Sequence, residues 1–154
     1  MNIESYLHDM RQDALDYNSF EKGFTSCTDA EIKKHEKRFE LIFGIAMPDV
    51  YKRSLKFTNG MFFNGLKLFP LFPTPSFEED IFEYNEDVNG PEPDRVIFFT
   101  IDDELYIYDN ESNKFAASEH YGGIWKEFDS AEEMFEFGFK RVFEDPDSLD
   151  NLEE

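Results

Sequence analysis

A single cysteine, Cys27, in 154 residues leaves no intrachain disulfide and no paired-thiol metal knuckle. A reducing, cytoplasmic compartment is the expectation. Histidine is nearly as scarce: His8, His35 and His120 show no H-x-x-x-H or H-E-x-x-H spacing, so a histidine-held metal is not expected. No phosphate loop, G-x-G-x-x-G or G-x-S-x-G is present. No apolar run is long enough to span a bilayer. MNIESYLHDM carries Glu4 and Asp9 where a secretory leader would carry basic residues and then an unbroken apolar stretch. Together these gaps argue against a secreted, embedded, disulfide-built or metal-dependent protein.

Positive charge is the next shortage, and it is confined to one half. Residues 1–60 hold nine Lys/Arg against ten Asp/Glu, whereas residues 61–154 hold six against twenty-five. Of the formal net charge of −20, the second part therefore carries −19. Solubility asks for only about 2–8 units at this size. The surplus sets up a negative field that repels nucleic acid and anionic membrane and attracts basic proteins. Aromatics are plentiful instead, at 18% with 19 Phe, which is enough apolar surface for one packed domain of ordinary size.

Residues 3–17 read as an amphipathic helix, with Ile3, Tyr6, Leu7, Met10, Ala14 and Tyr17 at helical spacing, and Gly23 lies in the break after it. Thr28-Asp29-Ala30-Glu31 is a capping box that opens a second helix burying Ile32, Phe39 and one of Leu41 and Phe43. Gly44 ends that helix. Pro48 suits the first turn of a third, which runs through Tyr51 and Leu55 to Asn59-Gly60.

The period then shortens. Asn64-Gly65 between apolar runs predicts a hairpin, stopped by Pro70, Pro73 and Pro75. Residues 76–94 read as an acidic loop with one short helix near Glu79–Tyr84. Arg95–Ile101, Glu104–Tyr108, Lys114–Ala117 and Ile124–Phe128 read as an antiparallel meander. Ser130-Ala131-Glu132-Glu133 is a second capping box, starting a helix that buries Met134, Phe135, Phe139 and Val142. Residues 144–154 read as an acidic, disordered tail on a domain spanning 1–143.

Two stretches resemble the SUKH superfamily. In the first, a helix beginning T-D-A-E-I leads to G-I-A-M-P-D-V-Y-K-R-S-L and then T-N-G. The match falls on Gly44, Pro48, Tyr51, Leu55, Asn59 and Gly60, with Met47 where the pattern has Leu and Met61 where it has a second Gly. The second stretch, I-W-K-E-F-D-S-A-E-E-M-F-E-F, is similar to the superfamily's closing strand and helix, and includes Trp125. The resemblance implies a single α+β domain with helices on one face of a curved, mainly antiparallel sheet and a closing C-terminal helix. Each matching residue also has a structural explanation, so the set is expected to be a fold signature, and Trp125 a core anchor.

Many bacterial members of this superfamily are immunity proteins that bind and block toxin domains, often nucleases. The resemblance thus implies a cognate toxin partner, and the acidic half suits a basic nuclease domain. Glu79, Asp80, Asp102, Asp103 and Glu104 are the residues expected to steer that contact. No catalytic residue, metal or cofactor is expected. Cys27 with His35 or His120 is a poor nucleophile set, because a lone thiol beside a capping Thr is more often inert filler. The clusters Glu78-Glu79-Asp80, Asp102-Asp103-Glu104 and Asp109-x-Glu111 lack the D-x-[DN]-x-[DN]-G calcium loop. The alternative, suggested by eukaryotic relatives, is a small-ligand or regulatory scaffold module whose pocket is rimmed by Pro70–Pro75.

Overall fold

The fold was obtained as a computed structural model describing residues 2–16, 25–75, 77–90, 94–120 and 122–144. Tyr17, Gly23 and the tail beyond Glu144, all part of the sequence-based expectations, lie outside the described residues. The elements are α1 (Ile3–Asp16), α2 (Asp29–Phe43), α3 (Asp49–Phe57), β1 (Met61–Phe63), β2 (Leu66–Leu68), α4 (Ile81–Asn89), β3 (Arg95–Ile101), β4 (Glu104–Asp109), β5 (Lys114–Glu119), β6 (Ile124–Phe128) and α5 (Ala131–Phe143). The six strands form one sheet in sequence order, every neighbouring pair antiparallel. This is the α+β architecture with a closing helix.

Local chemistry sets most boundaries. The Glu31 amide donates to Thr28 Oγ1 at 3.1 Å while the Thr28 amide donates to Glu31 Oε1 at 2.8 Å, a complete capping box. The second box is half formed. Ser130 Oγ accepts from the Glu133 amide at 3.1 Å, but the Glu133 carboxylate reaches one residue further back, to the Asp129 amide. Pro48 is the N-cap of α3, not its first turn, and its carbonyl takes the Tyr51 and Lys52 amides, both at 3.1 Å. Asn64 and Gly65, with φ of 44° and 85°, make the turn between β1 and β2. Phe43 is buried in α2, and Leu41 is 76% exposed.

The closing helix presses hard on the sheet. A Cβ at Gly138 would lie 2.5 Å from the Phe99 ring, so only glycine lets α5 approach β3 this closely. Phe135 and Phe139 flank that contact, with ring centroids 5.0 and 5.8 Å from Phe99. α1 packs on α5 and α3, and α2 on α3. Arg53 ties three helices, donating from α3 to Glu4 of α1 and to both carboxylate oxygens of Glu132 of α5.

Two expectations need correction in extent. The third helix stops at Phe57, because Thr58 turns extended and frees Asn59 for other contacts. The acidic loop holds a helix longer than expected and shifted toward its C-terminal end, the nine-residue α4. Its buried face includes a polar residue, Asn85, which a hydrophobic-period reading passes over. β2 pairs only with Phe99–Ile101 of β3. Along the stretch it leaves unpaired, Asn85 accepts from the Ile97 amide at 2.7 Å and donates to the Ile97 carbonyl at 3.0 Å. Asn89 donates to the Arg95 carbonyl at 2.9 Å. Two side chains thus stand in for a strand.

Candidate partner-binding site

The residues carrying the superfamily resemblance meet around one loop. Tyr51 Oη donates to the Phe69 carbonyl at 2.8 Å from a fully buried position. Asn59 accepts from the Leu71 amide at 2.7 Å and donates to the Phe72 carbonyl at 3.1 Å. Gly60, at φ +88°, leaves room where a Cβ would touch Pro70 and the Phe77 ring at 3.0 Å. Gly44 caps α2 in the left-handed region, and Leu55 is buried in α3. Their work is to hold residues 69–72 against α3. The prolines following β2 are therefore pinned to the core through the backbone beside them.

Comparison with known families agrees with this frame: residues 26–143 match the SMI1/KNR4 family. The chain belongs to that family, SUKH-1. No curated protein matches it.

The acidic residues singled out in the sequence fall in two places. Asp80, 4% exposed, is the N-cap of α4, accepting from the Glu83 amide at 2.8 Å. Burial raises its pKa above the ordinary carboxylate value, and the Glu83 amide partly offsets that. Glu79, half-buried, has Oε2 sealed from solvent with no hydrogen-bond partner among the described residues. A hydrogen bond shared with the Asp87 carboxylate, then burial, and then the Asp87 charge raise its pKa. Of the two, Asp80 holds the start of α4, while Glu79 faces a like charge on that helix.

Asp102 and Asp103 are exposed in the turn between β3 and β4. Glu104, next to them, is not free. Its Oε1 lies 2.9 Å from Nη1 of Arg141, whose side chain is 8% exposed. The same Nη1 donates to Tyr106 Oη at 2.9 Å, and the guanidinium carbon lies 5.4 Å from the Trp125 ring centroid. Glu104 belongs to a structural ion pair linking α5 to β4.

A sequential antiparallel meander sends alternate turns to the same end of the sheet. The Asp102 amide donates to the Gly65 carbonyl at 3.0 Å, and the His120 amide to the Asp103 carbonyl at 3.1 Å. The turns after β1, β3 and β5 therefore touch. Between the last two is an open cleft of about 550 Å³ lined by Asp103, Glu119, His120 and Gly122. Ile124 and Trp125 start β6 just after the turn that lines it, 42% and 39% exposed, so Trp125 is not the core anchor expected of it. A register shift between Ala117 and Ser118 leaves Trp125 unopposed in the ladder and re-aims its side chain. Glu119, His120 and Ile124 were missed as site residues. The signal was available, since the meander order predicted for residues 95–128 already places the 102–103 and 119–123 turns together.

This end can attract cations and bury an apolar or aromatic anchor. Cys27 is 4% exposed, and burial pushes its thiol up to about 12. His35 packs on the Phe72 and Phe82 rings at 5.8 and 6.5 Å, and burial lowers its pKa. Among the described residues no group of three or more His, Cys, Asp or Glu is placed to hold a metal ion, and no helix is long and apolar enough to cross a membrane.

Proposed function

We propose that this chain is a cytoplasmic immunity protein that binds a cognate toxin domain, a basic nuclease, and neutralises it by covering its active site or substrate groove. Family membership supports a toxin partner in general terms. The observation that carries the finer reading is the acidic end of the sheet, where exposed Asp103 and Glu119 line a cleft, Asp102 is exposed in the same turn as Asp103, and Trp125 is exposed at the start of β6. A nuclease groove built for phosphate presents Lys and Arg, and such a groove is complementary to this end in sign. The action is stoichiometric binding without turnover.

The test is co-expression with the product of the neighbouring gene, followed by calorimetric titration of the two purified proteins. Relief of growth arrest and a one-to-one complex are the expected results. Arrest that persists with the chain well expressed overturns the reading.

A second reading, a small-ligand or regulatory module, has its own observation in an apolar groove of about 360 Å³ beside Pro48, lined in part by Ile45, Met47, Tyr108 and Phe115. It requires a metabolite-induced rise in melting temperature and no protein partner.

A further inference from the structure

We propose that the outer edge of β6 is the docking strand of this protein, and that its occupant is an extended basic segment of the partner, added to the sheet as a seventh strand. The inference rests on the toxin-binding reading and names the surface and geometry through which that binding occurs.

β6 ends the sheet, and no described strand lies beyond it. Its backbone offers the groups an added strand needs. The Glu119 amide donates to the Gly123 carbonyl at 3.2 Å, which makes the neighbouring Ser118–Ile124 pair the non-hydrogen-bonded kind in the β5–β6 ladder. The amide and carbonyl of Ile124 therefore point away from β5, toward the open side. Four of the five β6 residues are exposed or half-exposed large side chains, and Ile124 and Trp125 supply adjacent apolar surface for a partner to bury.

Charge selects the occupant. Lys126, the lone cation of β6, is turned inward, its ammonium 5.2 Å from the Phe137 ring centroid and 5.5 Å from that of Phe128. Lys114 lies 3.7 Å from Glu127. Among the described residues, the exposed charges left without an opposite partner around the edge are Asp103 and Glu119 at one end and Asp129 at the other. A second copy of this chain would set those carboxylates against their own likeness, in a molecule of net charge −20. A strand carrying Lys or Arg at alternate positions meets opposite charge at both ends, with its backbone paired to β6.

The first arm titrates the isotope-labelled full chain at low salt with a peptide of about seven residues alternating Lys and Val, using an alternating Glu/Val peptide as control. Amide shifts should concentrate at residues 123–128, appear only with the Lys peptide, and weaken about tenfold in Ile124→Pro, which removes the outward amide without touching the β5 ladder. Ile124→Lys, which puts a repelling cation at the edge, should weaken binding similarly and covers the case in which the proline variant fails to fold. Leu41→Lys, on the exposed end of α2, should change nothing. Shifts elsewhere, equal response to the Glu peptide, self-association at the edge, or both Ile124 variants binding like wild type would each overturn the proposal.

The second arm repeats the Ile124 comparison with the neighbouring gene's product. If wild type fails to bind it, the toxin reading falls and the peptide result judges the edge by itself. If wild type and both Ile124 variants bind equally, the edge proposal falls and the toxin reading stands.

Discussion

At the scale of single residues, carboxylates that look alike in the sequence do opposite things in the fold. Asp102 is exposed in a turn, while Glu104, two positions on, faces a buried arginine at 2.9 Å. Glu104→Lys places two cations together in a nearly dry site and should cost about 3 kcal/mol in denaturant unfolding, whereas Asp102→Lys should stay within about 0.5 kcal/mol of wild type. Equal, small losses in both would show that the Arg141 pair is not structural. Glu79 makes the pH case. Its folded pKa is raised, by the Asp87 carboxylate first and by burial second, so the native state binds this proton more tightly than the unfolded chain does. The stability it contributes is full below the unfolded value of about 4.3 and is lost as pH rises through the folded one. Glu79→Gln keeps the shape without the charge. The variant should melt higher than wild type at pH 7, and the two should converge below about pH 4. Identical melting at pH 7 would mean that Asp87 and Glu79 do not repel in the native state.

At the scale of elements, the unusual feature is that α4 completes a sheet. Asn85, 1% exposed, satisfies the Ile97 amide and carbonyl where β2 is too short to do so. Asn85→Ala leaves two buried backbone groups unpaired and should destabilise by roughly 3 kcal/mol, with amide exchange accelerated first at Ile97. Unchanged exchange there would show that water or another group takes over. This is also where sequence reasoning reached its limit. Elements set by local chemistry were legible: the Thr28 box, the Asn64-Gly65 turn, the four strands of the meander and the apolar face of α5 all arise from neighbours in the chain. α4 was read too short because Asn85 and Asn89 look like loop residues, and their strand-like role exists only once β3 lies beside them. Asp102 and Asp103 were legible as turn residues, since such a tip is exposed in almost any fold. Asp80, Glu104 and Trp125 were not, because each is defined by something distant: the Glu83 amide that Asp80 caps within a helix read too short, Arg141 on α5, and the irregularity that lifts Trp125 out of the ladder.

At the scale of the whole molecule, the division of charge has a geometric counterpart. In the near-neutral first part, Arg53 is paired with Glu4, Asp49 and Glu132, Lys52 with Glu36, and Lys56 with Asp29. In the second part, two of the few cations are spent locally, Arg141 on Glu104 and Lys114 on Glu127, so the surplus negative charge is left to the solvent. An uncompensated field of this kind acts on encounter more than on the finished contact, because it reaches only about 8 Å at physiological salt and is already screened at moderate ionic strength. The association rate with the basic partner should therefore fall steeply as salt rises from low ionic strength, while the dissociation rate changes little. Reversing Asp102 and Asp103 together to Lys should slow association several-fold at low salt and flatten its salt dependence, lowering the melting temperature only slightly, since both side chains are exposed and the one backbone cost is a Lys at the φ of +52° that Asp102 adopts. Glu104 must be left intact in that variant, or slower binding would only report unfolding. Stopped-flow association of wild type and the double reversal across a salt series measures this directly. Rates that ignore both salt and reversal would assign the acidic surplus to solubility alone and move recognition to the neutral helical part, where Leu41 and Ile42 are exposed at the end of α2.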